Sequence, residues 1–146
     1  GGVNLTQWAE LRGTLEYVDG ELDDGRQVPL LPPLKLGGEL EFTRDRLGPA
    51  RDGYIVLGVS YADSQQSAGL IEPFGQFDAP PPPFGTGSTD SYTLVGLQAG
   101  LSFDAVDISL NVENLLDEPY RDFLDTYKNI TLGPGRNVML TLSTEF

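Results

Sequence analysis

Apolar and polar residues alternate two by two in six separate stretches of the chain. In AELRGTLEY, Ala9, Leu11, Gly13, Leu15 and Tyr17 take one parity, and Glu10, Arg12, Thr14 and Glu16 take the other. LKLGGELEF sets Leu34, Leu36, Gly38, Leu40 and Phe42 against Lys35, Gly37, Glu39 and Glu41. IVLGVSY, TLVGLQAGLSF, VDISLNVE and the closing NVMLTLSTEF repeat the pattern. Successive side chains of a strand point to opposite faces, so a period of two predicts β-strands with one apolar face. Charge sorts the same way. Glu10, Arg12, Glu16, Lys35, Glu39, Glu41, Asp107, Glu113 and Glu145 all lie on the polar parity of these stretches, and no charged residue lies on the apolar one. Leu36, Leu40, Leu57, Leu97, Leu101, Ile108, Leu110 and Leu140 are expected on one face. Glu39, Glu41, Ser109, Asn111 and Thr141 are expected on the other.

Such a face needs an apolar medium, either the core of a soluble sandwich or lipid. Three features favour lipid. The connections alternate in length: 19–33, 63–90 and 118–135 are long, whereas 44–52 and 104–105 are short. Outer-membrane barrels have long loops on one side and short turns on the other. Aromatics of the apolar parity fall at segment ends, with Phe42, Phe103 and Phe146 toward the short turns and Tyr17 and Tyr61 toward the long loops, as interfacial girdles do. The segments also approach the ~9–11 residues of a tilted membrane strand. The predicted fold is all-β, an antiparallel meander of about six transmembrane strands. Segments 19–33, 63–91 and 118–135 are expected outside the cell, and 43–52 and 103–106 in the periplasm.

Composition narrows the chemistry. The 146 residues carry 22 Asp and Glu against 9 Lys and Arg, a formal charge of −13, which repels a phosphate backbone and speaks against nucleic acid as a partner. The chain contains no Cys and no His. Thiol nucleophiles, disulfides, thiolate metal sites, Ser-His-Asp triads and H-E-x-x-H zinc sites are therefore excluded within it. No apolar run approaches the ~20 residues of a membrane helix. DGELDDG, residues 19–25, resembles a calcium loop only superficially, because its glycine comes one place late and its twelfth position is Leu30. Glu39, Glu41 and Glu113 are read as polar wall, not as a hydrolytic pair. No enzyme activity, cofactor or metal site is expected.

The connections supply the remaining candidates. FGQFDAPPPPFGTGSTDS contains Pro80 to Pro83, a polyproline stretch that cannot join a ladder. It reads as a plain surface loop, or as a ligand-contacting loop carrying Phe74, Phe77 and Phe84. In DEPYRDFLDTYKNI, Asp117 and Pro119 could open a short loop helix; an extension of the strand through Tyr120 fits equally well. Tyr120 and Arg121 join the candidate cargo contacts, offering apolar area and a guanidinium for an anionic chelate.

SLNVENLLDEPYRDFL, GPGRNVMLTLSTEF and DGRQVPLLPPLKLGGELEF together resemble the C-terminal barrel region of TonB-dependent outer-membrane receptors. The resemblance rests on Asn114, Leu115, Leu116, Asp117 and Tyr120 in the penultimate strand region, on Pro134, Gly135 and Arg136 before the last strand, on Leu31 to Leu34, and on the closing Phe146. It implies that residues 1–146 are a C-terminal fragment of a barrel of about 22 strands, whose plug and remaining strands lie elsewhere. It also implies a bacterial outer-membrane location and the uptake of a scarce nutrient, chiefly a ferric siderophore or another small-molecule metal chelate, driven by the TonB complex through the absent plug. Phe146 would be the signal read by the barrel-assembly machinery. The alternative is a non-transport β-protein, a small outer-membrane barrel or a soluble sandwich, with a binding or structural role.

Overall fold

The computed structural model describes residues 1–25, 28, 31–65, 88–125, 127 and 130–144. These form one sheet of seven strands: β1 (Gly2–Thr6), β2 (Ala9–Glu16), β3 (Lys35–Leu47), β4 (Ala50–Ala62), β5 (Tyr92–Ser102), β6 (Val106–Glu113) and β7 (Asn137–Thr144). Sequence order is spatial order and every neighbouring pair is antiparallel. The predicted meander is present. Its strands exceed the six expected because Gly2–Thr6 adds β1, paired to β2 around a turn at Gln7 and Trp8.

An antiparallel meander puts alternate connections at opposite ends. The turns β1–β2, β3–β4 and β5–β6 are short and share one rim; β2–β3, β4–β5 and β6–β7 are long and share the other. The 43–52 segment, expected as a connection, is instead mostly strand. β3 and β4 each run 13 residues and meet at Gly48–Pro49, where Gly48 adopts a φ of 62°. Arg46 also takes a left-handed φ of 62° just before this turn. The extension places Arg44 opposite Gly53 on the apolar parity, so that face acquires a cation near the short-turn rim. Phe42 consequently lies five residues inside its strand, where its ring stacks on Trp8 with centroids 5.9 Å apart.

The register aligns each face across the sheet. One row runs Val3, Leu11, Leu40, Leu57, Leu97, Val112 and Val138. The adjacent row on the other face runs Asn4, Glu10, Glu41, Val56, Gln98, Asn111 and Met139. Nearer the short turns, Asp45, Asp52, Ser102, Asp107 and Ser143 form a wholly polar row on that same face. Cross-strand partners share a face, so the expected segregation of Leu36, Leu40, Leu57, Leu97, Leu101, Ile108, Leu110 and Leu140 from Glu39, Glu41, Ser109, Asn111 and Thr141 is realised in space.

No second layer covers the apolar face among the described residues. Leu15, Val138, Leu140 and Leu142 remain 61–69% exposed, and the buried apolar side chains reduce to Ala9, Ala50, Ala62, Val112 and Phe123. A soluble domain closes its apolar face against another layer; the described residues supply none. On the polar face the ring of Tyr54 lies over Gly100, where a Cβ would collide with it.

Candidate functional site

The described residues of the β6–β7 connection form neither the helix nor the strand extension considered for 117–130. They form irregular turns. Asn114 follows β6 with a φ of 48° and is buried. Its Nδ2 donates to the carbonyls of Glu118, at 2.9 Å, and Pro134, at 3.1 Å, while its Oδ1 accepts from the Glu118 amide at 2.8 Å. An amide side chain can donate twice and accept at once, and Asn tolerates left-handed φ, so this position uses both properties. Leu115 donates its amide to the Val95 carbonyl at 2.7 Å, fixing the connection to β5.

Asp117, at φ 56°, receives the Arg136 amide on Oδ1 at 2.8 Å, with the guanidinium of Arg136 4.0 Å from Oδ2. Asp117, considered as the cap of a possible loop helix, instead binds the start of β7. Tyr120 accepts the Gly133 amide on its carbonyl at 2.7 Å, and its ring occupies the space that a Cβ on Gly133 would need. The residues that carry the family resemblance, Asn114, Leu115, Asp117, Tyr120, Pro134, Gly135 and Arg136, therefore converge on one clamp. It pins the two ends of a long connection to each other and to the sheet.

Beyond the clamp the connection crosses the long-loop rim toward the polar face. Lys35, Ala62 and Tyr92 form one cross-strand row there. Asp122 receives hydrogen bonds on Oδ2 from Lys35 Nζ and from the Tyr92 hydroxyl, each at 3.0 Å, and on Oδ1 from the Leu124 amide at 2.9 Å. Tyr92 and Tyr120 pack with ring centroids 4.7 Å apart. Phe123, next to Asp122, is the most deeply buried large side chain described. Burial works against ionisation of Asp122, but the bonds from Lys35, the Leu124 amide and Tyr92 outweigh it and hold its pKa below the usual carboxylate range. The Tyr120 phenol is pushed up, first by burial and then by Asp122 and Glu113.

Beneath this connection lies a cleft of about 760 Å³ on the polar face, with Thr14, Glu39, Ser60, Gln98, Asn111 and Tyr120 among its lining. Its size falls in the range of small-molecule sites. Glycines lower its floor: a Cβ on Gly37 would collide with the Thr14 hydroxyl. Arg12 is the central cation. It holds Glu10 at 2.8 Å and Glu41 at 2.7 Å, with Glu39 3.9 Å away, so carboxylates outnumber it on this wall. Among the described residues no group of three or more His, Cys, Asp or Glu is arranged to hold a metal ion. That includes the 19–25 acidic segment, where Gly25 closes a turn onto Leu22.

The sequence-predicted contacts divide. Tyr120 lines the cleft, and Arg121 is exposed on the same connection. Phe74, Phe77, Phe84 and the Pro80–Pro83 stretch lie outside the described residues, as does Phe146. Residues that sequence reasoning passed over are Asp122, Tyr92 and Trp8. Tyr92 was within reach as the opening aromatic of a strand, but its partner is 30 positions away.

No protein-family model matches the sequence, and no curated protein matches it. Among solved structures the chain is similar to the copper transporter OprC, with a TM-score of 0.77 and 19% sequence identity. The likeness covers 99% of this chain and 21% of that one, so the chain spans about a fifth of that transporter's length. The all-β meander is thus the fold of a fragment of a larger barrel.

Replacing Asn114 by Ala removes three hydrogen bonds, leaves part-buried backbone groups of Glu118 and Pro134 without that partner, and keeps an unfavourable φ. The cost should be about 1–3 kcal/mol, confined to the connection. Hydrogen exchange should show the 114–136 amides opening while the β3–β5 amides stay protected. Asp122 gives a pH signature. A carboxylate with a depressed folded pKa stabilises fully above its unfolded value, about 3.9, and that contribution is lost as pH falls through the lower folded value. Pepsin cleavage of the connection, followed from about pH 5 to about pH 2, should rise in this window, and Asp122→Asn should flatten the rise.

Proposed function

We propose that this chain is part of the wall of an outer-membrane transport barrel of the TonB-dependent type, with its apolar face toward lipid and its polar face toward the lumen. The observation that carries the reading is the uncovered apolar face, aligned row by row across seven strands. The common rim of short turns and the opposite rim of long connections support the same setting, as does the likeness to a transporter fragment. A soluble sandwich would need a second layer, and all the described strands belong to one sheet.

In this reading the long connections face the exterior and the short turns the periplasm. Cargo enters past the 114–136 connection and along the cleft below it, with Tyr120 and Arg121 as contacts. The chain acts by shape and charge, without catalysis. The proposed cargo class is a small-molecule metal chelate, a ferric siderophore included. Copper as a bare ion finds little purchase on this segment: soft ligands favour it, and the chain offers one Met and no His or Cys. Met139 stands on the polar row, alone in its chemistry there. Energy would come through the TonB complex acting on a plug carried elsewhere, and assembly through the barrel-assembly machinery.

Two measurements test the setting. The chain has no Cys, so single cysteines report position cleanly. An impermeant maleimide added to intact cells should label Asp19→Cys and leave Pro49→Cys unlabelled until the outer membrane is opened; the reverse order would invert the topology. Separately, Leu110→Arg should destabilise the barrel by ~2–4 kcal/mol near mid-membrane, whereas Asn111→Arg, beside Glu113 on the polar face, should be tolerated. Equal effects of the two substitutions in a refolding titration would sink the assignment of faces.

A further inference from the structure

The apolar face is not uniform. Near the short-turn rim it carries a groove of about 810 Å³, with Trp8, Phe42, Arg44, Ile55, Ala99 and Leu110 among its lining residues. The stacked rings of Trp8 and Phe42 form one side, and Leu101, Ile108 and Leu110 line it on the β5–β6 side. Between them the row Phe42, Ile55, Ala99 and Leu110 drops to a methyl group at Ala99, which makes the dent. Gly53 lets Leu47 and Leu101 close together, since a Cβ there would meet their methyls at 2.6 and 2.9 Å.

The groove has a charged end. Arg44 lines it, and Arg46 and Arg51 lie on the same hairpin, so three of the chain's nine cations fall within eight residues of a protein with a net charge of −13. Arg51 is engaged with the Phe103 carbonyl at 2.8 Å and with Asp104 at 3.7 Å. Arg44 and Arg46 are exposed, and neither makes an ion pair among the described residues. Asp45 and Asp52 of this hairpin are cross-strand partners, and Asp45 also borders the groove. Arg44 nevertheless forms no ion pair with either carboxylate.

An apolar trough that ends in an unpaired guanidinium fits a molecule with an apolar tail and an anionic head. We propose that this groove seats an anionic phospholipid of the periplasmic leaflet, one acyl chain lying along Phe42, Ala99 and Leu110 and the phosphate held by Arg44 with Arg46 beside it. The proposal rests on the outer-membrane reading above. A guanidinium engages a phosphate through a fork of parallel N–H donors, which a neutral or zwitterionic headgroup rewards less. Trp at the headgroup level, with one apolar and one polar edge, suits the same depth.

The test uses the intact protein purified in neutral detergent and titrated with phosphatidylglycerol or phosphatidylcholine, bound lipid being counted by native mass spectrometry. Wild-type protein should retain phosphatidylglycerol in preference to phosphatidylcholine. The double substitution R44Q/R46Q should reduce that preference by about fivefold per arginine. Ala99→Trp, which fills the trough and leaves the arginines in place, should lower retention of phosphatidylglycerol. Equal retention of the two lipids by wild-type protein overturns the site, as does an unchanged preference in R44Q/R46Q or unchanged retention in Ala99→Trp. Failure of the membrane reading shows itself differently: protein that stays monodisperse after detergent removal sinks that reading before any lipid is added. Protein that needs detergent yet shows no lipid preference sinks the phospholipid site alone.

Discussion

A slip of one residue in any of the six strand pairings would turn that strand's leucines toward the polar face and its carboxylates toward the apolar one. The register is therefore the constraint on which everything else rests. It is specified because the two faces differ so sharply. Leu40 has Leu11 on one side and Leu57 on the other, while one position along the strand Glu41 has Glu10 and Val56. Among the described residues few apolar side chains are buried, so no packed core there supplies this specification. The backbone ladder and the contrast between the two faces do the work that a core does in a soluble domain.

That contrast explains which parts of the fold were legible in the sequence. Alternation between apolar and polar residues located β2, β5, β6 and β7 nearly to their ends, because the apolar band covers most of each. It found only the inner portions of β3 and β4. Beyond Phe42 the chain reads Thr43, Arg44, Asp45, Arg46 and Leu47, and a search for apolar residues sees nothing periodic there. The periodicity persists in another form. Arg44 and Asp45 alternate in sign where earlier residues alternate in hydropathy, and Gly48–Pro49 sits between Asp45 and Asp52, which pair. Strand β1 escaped for a different reason. Gly2–Thr6 offers only Val3 and Leu5 as apolar markers, too few for a period, and its place is fixed by pairing with β2.

The candidate site was legible as a pattern and illegible as a structure. Asn114, Asp117, Tyr120 and Arg136 stood out as a motif, yet their roles depend on contacts across about twenty positions that no local rule supplies. In space they are a fastening. Asn114 bridges to Pro134, and Asp117 bridges to Arg136, so the ends of the β6–β7 connection are tied before its middle is placed. The middle then reaches Lys35 and Tyr92 through Asp122. This second attachment left no trace in the sequence, because a single Asp in an acidic chain carries no signal of its own.

The two attachments divide the labour of the connection. Within the clamp, the Asn114 bonds join neutral amide and carbonyl groups, so they carry no titrating partner. The Asp122 contact joins a carboxylate, an ammonium and a phenol in one part-exposed cluster, next to the cleft-lining Tyr120 through Tyr92. Its strength responds to charge arriving there. A cationic ligand entering the cleft would compete with Lys35 for Asp122, and an anionic one would compete with Asp122 for Lys35. Neither exchange touches the Asn114 bonds, which involve different groups at the other end of the connection. A neutral fastening at the base and a charge-sensitive contact at the tip follow from Asn114 having neutral partners and Asp122 having a charged one.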